Sequence, residues 1–234
     1  MTVHQERQKR RLHVGCGVQL VPGFVNMDAD ASIPGVDLTG SVEDLSRFAE
    51  NEFDEIYISH VLEHVPYAQV PRVLAGLHRI LSQGGALRIS VPDLDRICRL
   101  YVDHIDWFAP PHNPWLGILY GGQVNDYDFH KGGFNFRYLE GLLRASGFAS
   151  VTEVPPTEEF GIRDGSFSNR PFGPVSLNVT ATKGAARVRE APFCHTALEK
   201  GLLLAERALE IGLRVIVRIR LALIRRRSAP GRTR

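Results

Sequence analysis

Two glycines and an acid, Gly15, Gly17 and Asp28, are the first residues in this chain whose types and spacing suit chemistry. Gly15-Cys16-Gly17 follows a short apolar run, Arg11-Leu12-His13-Val14, and Asp28 closes a second one, Phe24-Val25-Asn26-Met27. At the carboxyl ends of neighbouring parallel strands, a turn without side chains lets backbone come close to a ligand. A carboxylate beside it accepts hydrogen bonds from a ribose diol. A dinucleotide fingerprint wants a third glycine where Leu20 stands, and no Gly-Lys-Ser/Thr is present. The residues therefore suit a nucleoside without phosphates. Cys16 reads as small packing within the turn, not as a nucleophile.

Two histidines carry the remaining chemistry. His130 sits among carboxylates in Asp126-Tyr127-Asp128-Phe129-His130, just after Gly121-Gly122. It is the first candidate for a general base near pH 7, and His64, which follows a predicted strand, is the second. No His, Asp or Glu set has the spacing of metal ligands, Asp126, Asp128 and His130 coming nearest, so no metal is expected. Trp107, Phe108 and Trp115 are candidates to line an acceptor pocket, and Asp164, Ser168 and Asn169 to hydrogen-bond a polar acceptor.

The elements that must position these groups alternate between strand and helix. Strands are predicted at Arg11–Val14, Phe24–Met27, Val36–Leu38, Phe53–Ser59, Ala86–Val91, Val151–Val154 and Ser176–Thr182. Apolar residues from Val61 to Leu81 recur at helical spacing, with Gly84-Gly85 as the stop, and Phe136–Leu143 marks a second helix before Gly147. The nine residues between the first two strands are few for a crossover helix, so a loop or a single turn is expected there. The pattern predicts an α/β, Rossmann-like doubly wound sheet. It is mostly parallel, with an antiparallel last strand at the edge, and a C-terminal amphipathic helix follows.

Composition bounds the rest. The 234 residues, 44% hydrophobic and 23% charged, fit one domain of ordinary size with an appendage. The expected division is a domain over 1–186, whose insert 101–133 serves as lid or acceptor region, and a tail over 187–234. Three scattered cysteines argue against a disulfide framework, and no signal-peptide pattern opens the chain, so a cytoplasmic location is expected. The tail carries twelve Lys/Arg against four Glu, and the remainder sixteen against twenty-two acids. Residues 196–227 read as a basic amphipathic helix suited to an anionic membrane surface at the inner membrane face, or to a partner helix. The acidic body argues against nucleic acid.

In order, these motifs resemble the class I S-adenosylmethionine-dependent methyltransferases. The resemblance is to a small type 11-like subgroup reading Leu12-His13-Val14-Gly15-Cys16-Gly17 and Gly23-Phe24-Val25-Asn26-Met27-Asp28. Phe53-Asp54-Glu55-Ile56 through His60-Val61-Leu62-Glu63-His64 and Val91-Pro92-Asp93-Leu94 add to it. The resemblance implies S-adenosyl-L-methionine as cofactor. Gly15, Cys16 and Gly17 would lie under its methionine part, Asp28 on the ribose, Glu43 and Asp44 near the adenine, and His60 beside the methionine end. It implies methyl transfer to a small-molecule or saccharide hydroxyl, the subgroup being associated with cell-surface glycans. The rival reading is a catalytically idle nucleoside-binding adaptor anchored by its basic tail.

Overall fold

The computed structural model describes residues 9–103, 114–155 and 174–184. Seven strands form one sheet in the order β3-β2-β1-β4-β5-β7-β6. They are β1 (Arg11–Val14), β2 (Val25–Asp28), β3 (Leu38–Thr39), β4 (Phe53–Ser59), β5 (Leu81–Pro92), β6 (Ser150–Val154) and β7 (Ser176–Thr182). The first five pair in parallel, whereas β7 pairs antiparallel with both β5 and β6. The antiparallel last strand is as expected, but its place is not the edge. β7 runs between β5 and β6, and β6 takes the edge. Its burial shows why: Leu177, Val179 and Ala181 are all buried, which an outermost strand does not need.

Leu12, Val14, Ile56, Ile58, Leu87 and Ile89 from the central strands lie in a single apolar core. Helices α1 (Val70–Ile80) and α4 (Phe136–Ala145) meet each other and the sheet. They contribute Val73, Leu74, Leu77, Leu139 and Leu143 to that core. Two further helices are α2 (Leu94–Asp103), which runs into the start of the insert, and the shorter α3 (Pro114–Tyr120) within it.

The helix expected from Val61 to Leu81 is two elements. Leu62–His64 is a 3₁₀ turn, and α1 starts only at Val70, with Pro71 in its first turn. Pro66 is the reason for the break, because it lacks the N–H that a continuous helix needs there and disfavours helical backbone at Val65. Gly84-Gly85 is likewise not the helix stop. α1 ends at Ile80, and the buried Lys183 ammonium donates to the carbonyls of Arg79 and Leu81, answering acceptors left open at the helix end. The glycines sit inside β5, where the register against β4 slips between Phe53 and Glu55.

Parallel neighbours β1 and β2 are joined by turns without a helix, as the short spacing predicts. One side chain holds this connection. Asn26 accepts the Val21 N–H at 2.8 Å and donates to the carbonyls of Val21 and Phe24, each at 3.2 Å. Its own N–H donates to the Asp37 carboxylate at 2.8 Å. His13 Nδ1 stands 3.3 Å from Asn26 Oδ1, with its ring 5.0 Å from that of Tyr57. Among the described residues, no helix is long and apolar enough to cross a membrane.

Removing Asn26 strands these buried groups. Asn26→Ala should cost roughly 1–3 kcal/mol in urea unfolding, seen as a lower midpoint at unchanged slope. Burial lowers the pKa of His13 to about 4 from 6.5, outweighing the Asn26 hydrogen bond and the Asp28 charge. The unfolded chain therefore binds the extra proton first. Stability is complete above pH 6.5 and falls as pH drops towards 4, by about 2 kcal/mol between pH 7 and pH 5 from this group alone. His13→Phe should flatten that dependence in unfolding curves taken at the two pH values.

Candidate active site

An open cavity of about 550 Å³ lies beyond the carboxyl ends of β1–β4, where ligands bind in sheets of this kind. Its first wall is the glycine turn. Gly15 and Gly17 both take positive φ, +67° and +51°, conformations that favour glycine. The N–H groups of Gly15 and Cys16 donate to the Met27 carbonyl, at 2.8 and 3.2 Å. A Cβ on Gly15 would strike Val61 Cγ2, so the turn and the segment after β4 are in contact with no room for a side chain. Cys16 lies in the turn, but its side chain is buried and does not line the cavity. Burial pushes its thiol up to about 11, the pattern of packing and not of a nucleophile.

Asp28, at the tip of β2, is oriented at both oxygens. Oδ2 accepts the Gly17 N–H at 2.7 Å and Oδ1 the Asp30 N–H at 2.9 Å. Each oxygen keeps a lone pair, so the carboxylate lining the cavity can still accept from a diol. Beyond β3, Gly40, Ser41, Val42 and Glu43 continue the wall. Of the two acids expected near an adenine, Glu43 lines the cavity. Asp44 instead turns to Ser46, whose hydroxyl first and N–H second lower its pKa.

The other wall follows β4. His60 takes φ +53°, rare for a non-glycine residue. Its Nδ1 is 3.0 Å from Glu63 Oε1, and its Nε2 is 3.1 Å from Ser176 Oγ. Since an ionised carboxylate only accepts, Nδ1 carries the proton. His64 also lines the cavity, and its Nδ1 donates to the Phe129 carbonyl at 3.1 Å. His130 is not on the wall. It packs against His64, ring centroids 4.9 Å apart and nearly perpendicular. Burial lowers its pKa first, partly offset by the Glu63 charge. Asp126, Tyr127 and Lys131 complete this side.

Sequence reasoning quoted Glu63 without giving it a part. It is 1% exposed, and its Oε2 is buried without a hydrogen-bond partner. Its carbonyl accepts the N–H groups of Lys131 and Gly132, at 2.6 and 3.1 Å. Glu63 stands three residues after His60, and the 3₁₀ turn over Leu62–His64, which follows the left-handed His60, brings the carboxylate back to that ring. No spacing marks Glu63, His64 and His130 as a set, yet their donor atoms lie within 4.8 Å of one another. Trp107, Phe108, Asp164, Ser168, Asn169 and the tail lie outside the described residues, as does the side chain of Trp115.

Residues 10–89, spanning β1 and most of β5, match the family model of a methyltransferase domain. No curated protein matches the sequence. Among solved structures, the CurJ carbon methyltransferase aligns with 77% of this chain at 15% identity and a TM-score of 0.51. This chain spans half of that protein's length. A putative S-adenosylmethionine-dependent methyltransferase from Listeria monocytogenes aligns over 76% of this chain and 92% of its own, with 16% identity and a TM-score of 0.49. A methyltransferase dependent on the same cofactor from Archaeoglobus fulgidus aligns over 75% of this chain and 86% of its own, with 17% identity and a TM-score of 0.48.

The fold is thus the Rossmann-like one of the class I methyltransferases. The family match over the glycine turn and Asp28 supports S-adenosylmethionine as the cofactor. The residues present fit that molecule: a side-chain-free cradle at Gly15 and a carboxylate with open lone pairs.

Gly15→Ala combines a left-handed φ, unfavourable for alanine, with the Val61 contact. It should weaken S-adenosylhomocysteine binding at least about tenfold, a cost of about 1.4 kcal/mol. Adding Val61→Ala should recover part of that loss by relieving the contact alone. Calorimetry on the two variants checks both.

Proposed function

We propose that this chain is an S-adenosylmethionine-dependent methyltransferase acting on a hydroxyl of a small molecule or saccharide. One observation carries the reading: the glycine turn and Asp28 share a cavity with a polar wall of His64, Asp126, Tyr127 and Lys131. β3 and β4 lie on opposite sides of the β2–β1 pair, so Glu43 and the His60–His64 segment face the cavity from opposite sides.

The bound cofactor supplies an electrophilic methyl group on a sulfonium. The chain's own residues supply placement, the main requirement of an in-line displacement. Gly15 and Gly17 admit the cofactor's backbone-facing side, Asp28 accepts its ribose hydroxyls, and Glu43 meets the adenine. Lys131, Asp126 and Tyr127 offer donors and acceptors of both signs, which suits a polyol better than an apolar acceptor. A hydroxyl must shed its proton as it attacks, and the His64–His130 end of the cavity is where it does so. His64 faces the cavity, so it outranks His130, which stands behind it.

Calorimetric titration with S-adenosylhomocysteine, with NAD as control, tests the cofactor. Micromolar binding of the former alone is expected, and a folded sample that binds neither would overturn the reading. His64→Ala should then lower kcat about 100-fold or more on an accepted saccharide or phenolic hydroxyl, with S-adenosylhomocysteine affinity unchanged.

A further inference from the structure

Glu63 poses a problem that the proposed reaction does not answer. A carboxylate 1% exposed, with one oxygen paired to His60 and the other paired to nothing, carries an uncompensated desolvation cost. Such a group is normally protonated, paired or bound to a cation. Two imidazoles supply the rest of a coordination set: the donor atoms of Glu63, His64 and His130 all lie within 4.8 Å of one another.

His64 is oriented as a metal ligand is. His64 donates Nδ1–H to the Phe129 carbonyl, which leaves the lone pair on Nε2. His130 packs edge-on against the His64 ring, centroids 4.9 Å apart, which brings a second imidazole nitrogen into the set. A backbone carbonyl holding the second nitrogen is the common outer contact of a ligating histidine, fixing both tautomer and ring direction. The backbone holds the three residues together as well. Lys131 and Gly132 donate to the Glu63 carbonyl, and His130 N–H donates to the Tyr120 carbonyl at 3.0 Å.

We propose that Glu63, His64 and His130 bind a divalent transition-metal ion of the zinc class at the acceptor end of the cavity. Two nitrogens and one carboxylate suit zinc or its neighbours, whereas magnesium and calcium prefer oxygen throughout. Ligands about 2.0–2.2 Å from a tetrahedral zinc lie about 3.4 Å apart, so the three donors close on the ion by little over an ångström. His64 lines the cavity, so the fourth position faces the acceptor. There the hydroxyl oxygen binds the ion, its O–H bond breaks, and the proton passes to solvent through the open mouth. The two histidines then serve proton removal as ligands. This deepens the proposed reading and depends on it only for the identity of what fills the fourth position.

The test is titration of Co²⁺ into the full chain after chelator treatment, read by visible absorption, with Zn²⁺ as competitor. One equivalent should saturate a tetrahedral-type spectrum, and Zn²⁺ should displace it. His130→Ala and Glu63→Gln should each weaken binding about tenfold or more. S-adenosylhomocysteine binding, measured on the same samples, should persist in all three proteins. Absence of a stoichiometric spectrum in the wild-type chain would overturn the site while leaving the cofactor reading intact, and so would its survival within about twofold in both variants. If either variant fails to unfold cooperatively, the wild-type titration and the other variant still decide.

Discussion

The structure depends on a carboxamide that replaces a helix. Parallel strands side by side normally need a crossover long enough to cover the sheet, yet β1 and β2 are joined by turns alone. The backbone groups that a helix would satisfy internally have to find partners elsewhere, since a buried amide without one is costly. Asn26 provides them, reaching Val21, Phe24 and Asp37 from a single buried position. With the loop fixed, the Met27 carbonyl and the Asp28 carboxylate stand where the glycine turn can donate to them. The binding geometry is therefore a consequence of how a short connection is stabilised.

The second half of the cavity hangs on Glu63 in a comparable way. Its side chain pairs with His60, and its carbonyl receives Lys131 and Gly132. One residue of a 3₁₀ turn thus sets both the His60 ring and the loop that carries Lys131. The contact between Gly15 and Val61 joins this turn to the first half. These short ties fix the two sides of the cavity relative to one another with little intervening structure.

What was legible in the sequence was what local pattern controls. β1, β4 and β7 have the predicted limits because alternating or continuous apolar runs end at clear breaks. The helix over 61–81 was misread because its apolar spacing continues through Pro66, and periodicity does not register a missing N–H. Gly84-Gly85 resembled a helix stop, although the pair serves a register slip inside β5. The position of β7 could not be read from its own residues, because strand order is decided by long-range packing. Asn26 and Glu63 were both visible within motifs, but their roles come from partners distant in the chain. Asp37 is 11 residues from Asn26, and the N–H groups that reach the Glu63 carbonyl come from Lys131 and Gly132 in the loop before α4.

The ties between Glu63 and the loop before α4 run through backbone atoms: two N–H groups on one carbonyl, with a further bridge from Asp93 to Phe134. A joint of that kind is indifferent to side-chain identity. The side chains of Asp126, Tyr127 and Lys131 line the cavity without taking part in it, while the Gly15–Asp28 side is held by its own bonds. The loop wall of the cavity is thus anchored by main-chain atoms, so its side chains are free to set what the cavity admits without having to hold it in place.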